Sequence, residues 1–415
     1  MIVEDKRARK WHSQTDLIQA GFLAEWSEGA IRPPIFPNTT YLSKSAEELE
    51  RAFRIAYGLC KPDPEMPPVL MYNRINHPNA EICEDRLSLA TGSEACALFS
   101  SGMAAIDTLL FTLNSGDTIL HSRPVYGGTN HLIKEELVRF GINNVSFGPD
   151  DDYNDINKII SKANSKNLAI VYVESPANPT NTLFDLELCG RIAKEHKALF
   201  VVDNTFLGPM WQNPTKFGAD LVVYSATKFI GGHNDVLSGA ITGSKKLISE
   251  IKARRGIKGN IASPFSSWLL TRSLEDLFLR TKKQMENAKK IAKFLNKHPN
   301  VTNVYYPSLF EGKQGQIYKK LGIKPGAMIP FEIKGTKREA YLFLNNLKLV
   351  KLAVSLGGTI TLAEHPHSMT HIGVSDKDKI ESGINESLIR LSVGLEHYKD
   401  IIKDLDQALY KIYAK

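Results

Sequence analysis

Between about residue 75 and residue 275 the chain alternates between short apolar runs and stretches of helical periodicity, and few folds accommodate that order. The apolar runs are ACALFS, TILHS, LAIVYVES, ALFVVDNT and DLVVYSATK; helical patterning falls at EICEDRLSLATG, GMAAIDTLLFTLN, HLIKEELVRFG and LELCGRIAKEHK. Strands that alternate with helices form a mostly parallel sheet with helices on both faces, because each crossover returns over the sheet. The fold class expected is therefore α/β. From about residue 276 the order changes. A long helical stretch, EDLFLRTKKQMENAKKIAKFLNKH, precedes NVYYP, MIPFEIKG, REAYLFLNNL, KLAVSLG, LIRLSVGLE and a terminal helix, which reads as a smaller α+β domain. Residues 1–70 look irregular apart from one helical stretch, SAEELERAFRIAYGL. Prolines in RPPIFP and KPDPEMPP favour extended or turn backbone there. The expected organisation is an N-terminal arm over 1–70 that lies on another surface, a large domain over 71–275 and a C-terminal domain over 276–415.

A chain of 415 residues, 42% hydrophobic and 23% charged, has material for two domains with a sizeable core. The net charge of +7 is dispersed except for clusters at residues 6–10 and 252–258, and the aromatics do not interleave with the basic residues as a single-strand nucleic-acid binder requires. No nucleic-acid partner is expected. Cys60, Cys83, Cys96 and Cys189 lie far apart without a CxxC pair, which argues against a disulfide framework, a dithiol motif or a zinc knuckle. The N-terminus has no apolar stretch of signal-peptide length and the chain has no apolar run long enough to span a bilayer. A cytoplasmic protein with no membrane partner is the expectation.

In open parallel sheets ligands bind beyond the carboxyl ends of the strands, and here those ends carry much of the chemistry. LAIVYV runs into Glu174, Ser175, Pro176, Ala177 and Asn178; ALFVV runs into Asp203, Asn204 and Thr205; DLVVY runs into Ser225, Ala226, Thr227 and Lys228. A lysine on a short polar loop is placed to react with a carbonyl and afterwards to move protons between carbons. The turn SSGMAA, residues 100–105, opens a helix, and a helix N-terminus attracts an anion such as phosphate. Asp203 can pair with a pyridine nitrogen, Asn178 can hydrogen-bond a ring hydroxyl, and Tyr126 in PVYGGTN can stack on a ring. Each residue alone has an ordinary explanation as a cap, a turn residue, a solvated lysine or a loop aromatic. Their joint placement at strand ends points to pyridoxal 5′-phosphate (PLP), which carries a carbonyl and a phosphate on one small molecule.

The motifs YNRINHPN, SSGMAAI, YGGT, ESPANPT, VVDNTF, YSATKFIGGHND, VSLGG, LAEHPHSMTH and IRLSVGLE together resemble the Cys/Met-metabolism family of PLP enzymes over about residues 30 to 400. The resemblance implies the PLP-dependent transferase fold type I, with a mostly parallel seven-stranded sheet. It implies Lys228 as the Schiff-base lysine and Asp203 as the pyridinium partner. Gly102, Met103, Ser225 and Thr227 resemble the phosphate binders of the same subunit. Tyr72 and Arg74 resemble the pair that reaches a neighbouring subunit's phosphate, which implies a dimer with shared sites, usually within a homotetramer. Tyr126 resembles the stacking tyrosine, often given a role in proton transfer. Arg390 resembles the arginine that clamps the substrate α-carboxylate, with Ser355 and Asn178 nearby; unaided, an inward arginine on a strand reads as a structural ion pair.

The chain departs from the family pattern in places. After the arginine motif it reads His77-Pro78-Asn79, which makes His77 a candidate near the cofactor edge or a hydrogen-bonded loop histidine, and the arm between Tyr41 and Tyr72 looks longer than usual. The markers of reaction type point both ways. Val354 stands where cystathionine-handling relatives often carry glutamate, which suits an uncharged thioether tail; Gly128 stands where methionine γ-lyases often carry cysteine. The expectation is a carbon–sulfur lyase of the methionine γ-lyase or cystathionine β/γ-lyase type acting on a sulfur amino acid. Its alternatives are a γ-replacement transferase (cystathionine γ-synthase or O-acylhomoserine sulfhydrylase) and an aminotransferase of the same fold. PLP chemistry needs no metal, and His365, His367 and His371 are expected to wall the substrate pocket rather than bind one.

Overall fold

The computed structural model describes residues 11–61, 69–163 and 167–413. The basic cluster at residues 6–10 and most of the KPDPEMPP stretch lie outside the described residues. The chain is α/β, with a large, mainly parallel seven-stranded sheet and a second, five-stranded sheet. The large sheet comprises β1 (Ala95–Phe99), β2 (Thr118–Ser122), β3 (Asn143–Phe147), β4 (Leu168–Glu174), β5 (Leu199–Asp203), β6 (Leu221–Tyr224) and β7 (Gly239–Gly243). The small sheet comprises β8 (Val301–Val304), β9 (Met328–Ile333), β10 (Lys351–Leu352), β11 (Leu362–Glu364) and β12 (Leu388–Ser392). All five expected strands of the large sheet are present. The two not expected have physical reasons to be inconspicuous: β3 (NNVSF) begins exposed and polar, and β7 (GAITG) is small-residue strand that is buried throughout.

The described residues form two compact units. One holds the residues up to Thr112, Leu221–Gly231 and Asp235–Phe278; the other holds Leu113–Asp220, Gly232–Asn234 and Leu279 onward. In the first, β7 pairs antiparallel with both β1 and β6. Its core is built on the helix Pro78–Thr91, which packs on β1, on the helix Pro264–Glu275 and on a helix in the arm, Ser13–Gln19. Ile82, Cys83 and Leu87 are its buried apolar face. The arm was expected to hold one helix; Ser13–Gln19 is a second, anchored because Arg86 donates to the carbonyls of Leu17 and Ala20, each at 3.0 Å. The expected helix is Ala46–Ala56, capped by Ser45.

Glu84 is the electrostatic centre of this unit. Buried on the Pro78–Thr91 helix, it accepts from the Leu98 amide at 2.8 Å and from Arg255 Nη1 at 2.7 Å, and also pairs with Lys252. Burial alone would raise its pKa, but the two cations and the amide hold it at about 2. Removing one partner of a buried ion cluster leaves the others uncompensated, so Glu84→Ala is expected to destabilise the protein by about 3–5 kcal/mol. The sign with pH follows from the depressed value. Glu84 contributes its stabilisation fully above the unfolded pKa near 4.5 and loses it as pH falls toward 2. Thermal melts across that window should fall more steeply for the native chain than for the variant; parallel curves would contradict the assignment.

In the second unit, β5, β4, β2 and β3 pair in parallel in that order. β4 is almost continuously buried, as a strand covered on both faces must be. The small sheet runs β10-β11-β12-β9-β8, antiparallel except for β10 on β11. One expected helix differs in form. HLIKEELVRFG is not one α-helix but a π-turn at Leu132–Glu136 followed by a 3₁₀ turn at Leu137–Phe140. The long helix expected over EDLFLRTKKQMENAKKIAKFLNKH is present as Leu277–Leu295; the helix before it, Pro264–Glu275, was not expected.

Candidate active site

The candidate residues fall in both compact units. In the first unit the helix Gly102–Leu110 starts at Ser101, whose side chain takes the Ala104 amide at 3.0 Å. Helix geometry leaves the N–H groups of Gly102 and Met103 without a partner inside the helix. Two glycines bring backbone together here. A Cβ on Gly102 would lie 2.9 Å from Ser225 Cβ and Oγ, and one on Gly239 would lie 2.2 Å from the Ser101 carbonyl oxygen. The helix terminus therefore sits directly against Ser225. The following loop is a pinned turn: Lys228 N–H donates to Ser225 O at 3.1 Å, and Thr227 N–H to Ser238 O at 3.0 Å. The Thr227 hydroxyl also donates to Ser238 O and accepts from Ser238 N–H, so its present role is to fix the loop. Lys228 is half-buried. A helix N-terminus beside a serine suits an anion, and a lysine three residues further along the same loop suits a nucleophile.

Tyr72 and Arg74 lie together on the surface of this unit. Tyr72 is 43% exposed and bridges to Thr40. The Arg74 guanidinium lies 5.5 Å from the Tyr72 ring centre and donates to Gly256 O at 2.7 Å. His77 is buried as the N-cap of the Pro78–Thr91 helix: Nδ1 accepts from the Ala80 amide at 3.2 Å and Nε2 meets Ala262 O at 3.0 Å. Both ring nitrogens are thus used structurally, and the hydrogen-bonded reading of His77 accounts for it.

In the second unit Asp203 ends β5 and is buried. Its Oδ1 accepts from the Thr205 amide at 3.0 Å and hydroxyl at 2.6 Å, and its Oδ2 from Tyr172 Oη at 3.2 Å. Burial pushes the Asp203 pKa up. Glu174, opposite it at the end of β4, is pushed up too, by burial first and by the Asp203 charge second. A buried acid of this kind gains from a cation, and a protonated ring nitrogen is one. Glu174 accepts the Tyr126 amide at 2.6 Å and the Asn178 amide at 2.8 Å. Asn178 Oδ1 in turn accepts from Arg390 Nη1 at 2.8 Å. Arg390 Nη2 donates to Ser355 O at 3.0 Å and pairs with Glu364 Oε1 at 2.7 Å. Ser355 holds a left-handed φ of +94°, a strained conformation for a residue with a side chain, of the sort retained at functional sites. Val354, just before it, is 56% exposed, and Tyr126 is 39% exposed.

The structure thus brings Gly102, Met103, Ser225, Thr227 and Lys228 together in one unit, and Tyr126, Asn178, Ser355 and Arg390 into one hydrogen-bonded chain in the other. Tyr172, the anchoring role of Glu174, and the Glu364–Thr370–His371 group escaped the sequence reading. Tyr172 lies inside an apolar run and reads as core; Glu364 sits in the histidine-rich segment LAEHPHSMTH, which carries no local sign of a distant arginine partner. Among the described residues His365 instead contacts Ser368 Oγ and Glu386 O, and His371 contacts Thr370 Oγ1.

The profile of the family described as Cys/Met metabolism PLP-dependent enzyme matches residues 14–410. The chain is 38% identical to an L-methionine gamma-lyase of Fusobacterium nucleatum subsp. polymorphum, over 97% of this chain and 99% of that protein. It is 36% identical to a cystathionine gamma-lyase of Homo sapiens, over 96% and 93% of the two chains. A crystal structure of cystathionine gamma synthase from Xanthomonas oryzae pv. oryzae, in complex with aminoacrylate and cysteine, superimposes with a TM-score of 0.88 at 29% identity, covering 98% of this chain and 99% of that one. Taken unit by unit, these residues fit parts of PLP: in the first, a helix terminus and serine suit a phosphate and a half-buried lysine a carbonyl; in the second, a buried carboxylate suits a ring nitrogen.

Proposed function

Because the chain belongs to the Cys/Met metabolism family of PLP-dependent enzymes, matched over residues 14–410, we propose that it is a carbon–sulfur lyase that cleaves thioether amino acids by γ-elimination, methionine foremost. Bound PLP supplies the electron sink for a carbanion at the substrate α-carbon. Lys228 holds the cofactor through Nζ and then, as a free amine, takes the Cα proton. Asp203 keeps a proton on the ring nitrogen. The amides of Gly102 and Met103, with Ser225 and Thr227, hold the phosphate, and Tyr126 covers the ring. Arg390, oriented by Asn178 and Ser355, binds the α-carboxylate through a charge-assisted contact. The overall balance consumes one water and releases a thiol, ammonia and a 2-oxo acid.

Val354 carries the choice of substrate. It directly precedes Ser355, whose carbonyl touches Arg390, so an exposed apolar side chain stands beside the carboxylate clamp. An uncharged tail is favoured there, whereas a distal ammonium would find no counter-charge on Val354. The test offers the holoenzyme methionine, cystathionine, cysteine and an acylhomoserine with and without thiol, with products identified by mass. Methionine alone should yield methanethiol, ammonia and 2-oxobutanoate. Turnover confined to acylhomoserine plus thiol would replace this reading with γ-replacement, and accumulation of pyridoxamine phosphate with an aminotransferase.

The proposal extends to assembly. A cytoplasmic homotetramer, built from dimers in which the arm (1–70) and the adjoining Tyr72 and Arg74 reach toward a neighbouring subunit, gives the exposed apolar residues of the arm a cover. Leu42 and Leu59 are 98% and 69% exposed, and large apolar side chains gain by leaving water at an interface. The large domain (71–275) and C-terminal domain (276–415) complete this layout.

A further inference from the structure

Arg390 already has a carboxylate. It stands directly opposite Glu364 on the neighbouring antiparallel strand, both side chains almost wholly buried, with Nη2 2.7 Å from Glu364 Oε1. Its other bonds go to Asn178 Oδ1 and Ser355 O, and among the described residues Nε has no partner. Glu364 is held in turn by the Thr370 hydroxyl, which donates to the same Oε1 at 2.9 Å, while Oε2 has no partner among the described residues. The guanidinium is therefore neutralised and largely hydrogen-bonded before any ligand arrives. A substrate carboxylate reaching Arg390 gains the attraction of one cation and meets the repulsion of a resident anion on the same group.

We propose that Glu364 is a positioning residue for the reaction: a built-in counter-charge that aims Arg390 while holding down its affinity for the α-carboxylate of substrate and product. This rests on Arg390 being the carboxylate site of the preceding subsection. The 2-oxo acid product carries the same carboxylate as the substrate, so the device acts on both ends of the cycle. A purely structural ion pair would leave ligand affinities alone.

Glu364→Gln keeps the shape and an acceptor oxygen but removes the charge. In the holoenzyme, KM for methionine and the inhibition constant of 2-oxobutanoate are each expected to fall about tenfold, the scale of one close like-charge contact relieved. Inhibition by 3-(methylthio)propylamine, which lacks the carboxylate, should not change, and kcat should not rise. Unchanged or weakened binding of both carboxylate ligands overturns the proposal, as does equal tightening of the amine. Thr370→Val supplies the opposite arm and decides the matter if Glu364→Gln does not fold. Without the hydroxyl, Glu364 bears on Arg390 alone, and both carboxylate constants should rise about threefold; no rise overturns the proposal. Arg390→Lys separates the two levels of inference. If it leaves the methionine KM unaltered, Arg390 is not the carboxylate site and the underlying reading fails. If it raises KM while Glu364→Gln fails to lower it, only the counter-charge fails.

Discussion

Lys228→Ala is expected to reduce turnover of any amino acid by about 10⁴-fold or more, since one amine serves both as the covalent anchor and as the base at Cα. The loss should be chemical rather than structural. The turn that carries Lys228 is fixed by backbone bonds from Thr227 to Ser238 and from Lys228 N–H to Ser225, none of which uses the lysine side chain. The variant should therefore fold, and it should still bind PLP through the helix terminus at Gly102 and Met103, but reversibly. Borohydride reduction followed by intact mass separates the cases. The native chain should retain a cofactor adduct on Lys228 and the variant should show none after dialysis. An adduct in the variant, or activity above about 1% of native, would remove Lys228 from the role given to it.

Asp203→Asn comes next in size, with an expected fall in kcat of about 10²–10³-fold, equivalent to about 3–4 kcal/mol of lost charge pairing. The amide can occupy the same space between Thr205 and Tyr172, but it has no charge with which to keep a ring nitrogen protonated. Stability should move the other way. Burial raises the Asp203 pKa, so the folded apoenzyme favours the protonated acid and loses stability as pH rises through that raised value. Asparagine carries no such titration. The apoenzyme variant should melt no lower than the native apoenzyme near neutral pH, and relatively higher as pH increases. A variant that loses both activity and stability would point to a structural role alone.

The parts of the molecule legible in the sequence are those where one local signal suffices. Five buried strands announced themselves as apolar runs, and the polar residues at their carboxyl ends marked the chemistry. Lys228 and Asp203 each have an ordinary reading on their own, and only their joint placement at strand ends made them candidates. β7 was not legible, since a glycine-rich pentapeptide reads as loop until a helix terminus is seen to need a surface without side chains, as Ser101 does at Gly239. Glu364 was not legible either. Its partner Arg390 is 26 residues away in sequence, and only the antiparallel register of β11 and β12 makes them opposite. His77 shows the converse: an unusual residue in a familiar motif drew a chemical reading, while the fold uses it to start a helix. The arm helix Ser13–Gln19 depends on Arg86 in the same way, on a partner that no local pattern reveals.

Glu174 ties two things that evolution would otherwise be free to vary separately. Its two carboxylate oxygens divide between the backbone of Tyr126 and that of Asn178, and Asn178 orients Arg390. The ring-covering loop and the carboxylate clamp are thereby parts of one unit of inheritance. A lineage can retune the tail of the substrate through an unlinked side chain such as Val354, but any change that moves the grip on the α-carboxylate by way of Asn178 also moves the residue lying over the ring. Diversification among such enzymes should then accumulate at the tail end of the substrate and remain sparse at its amino-acid end.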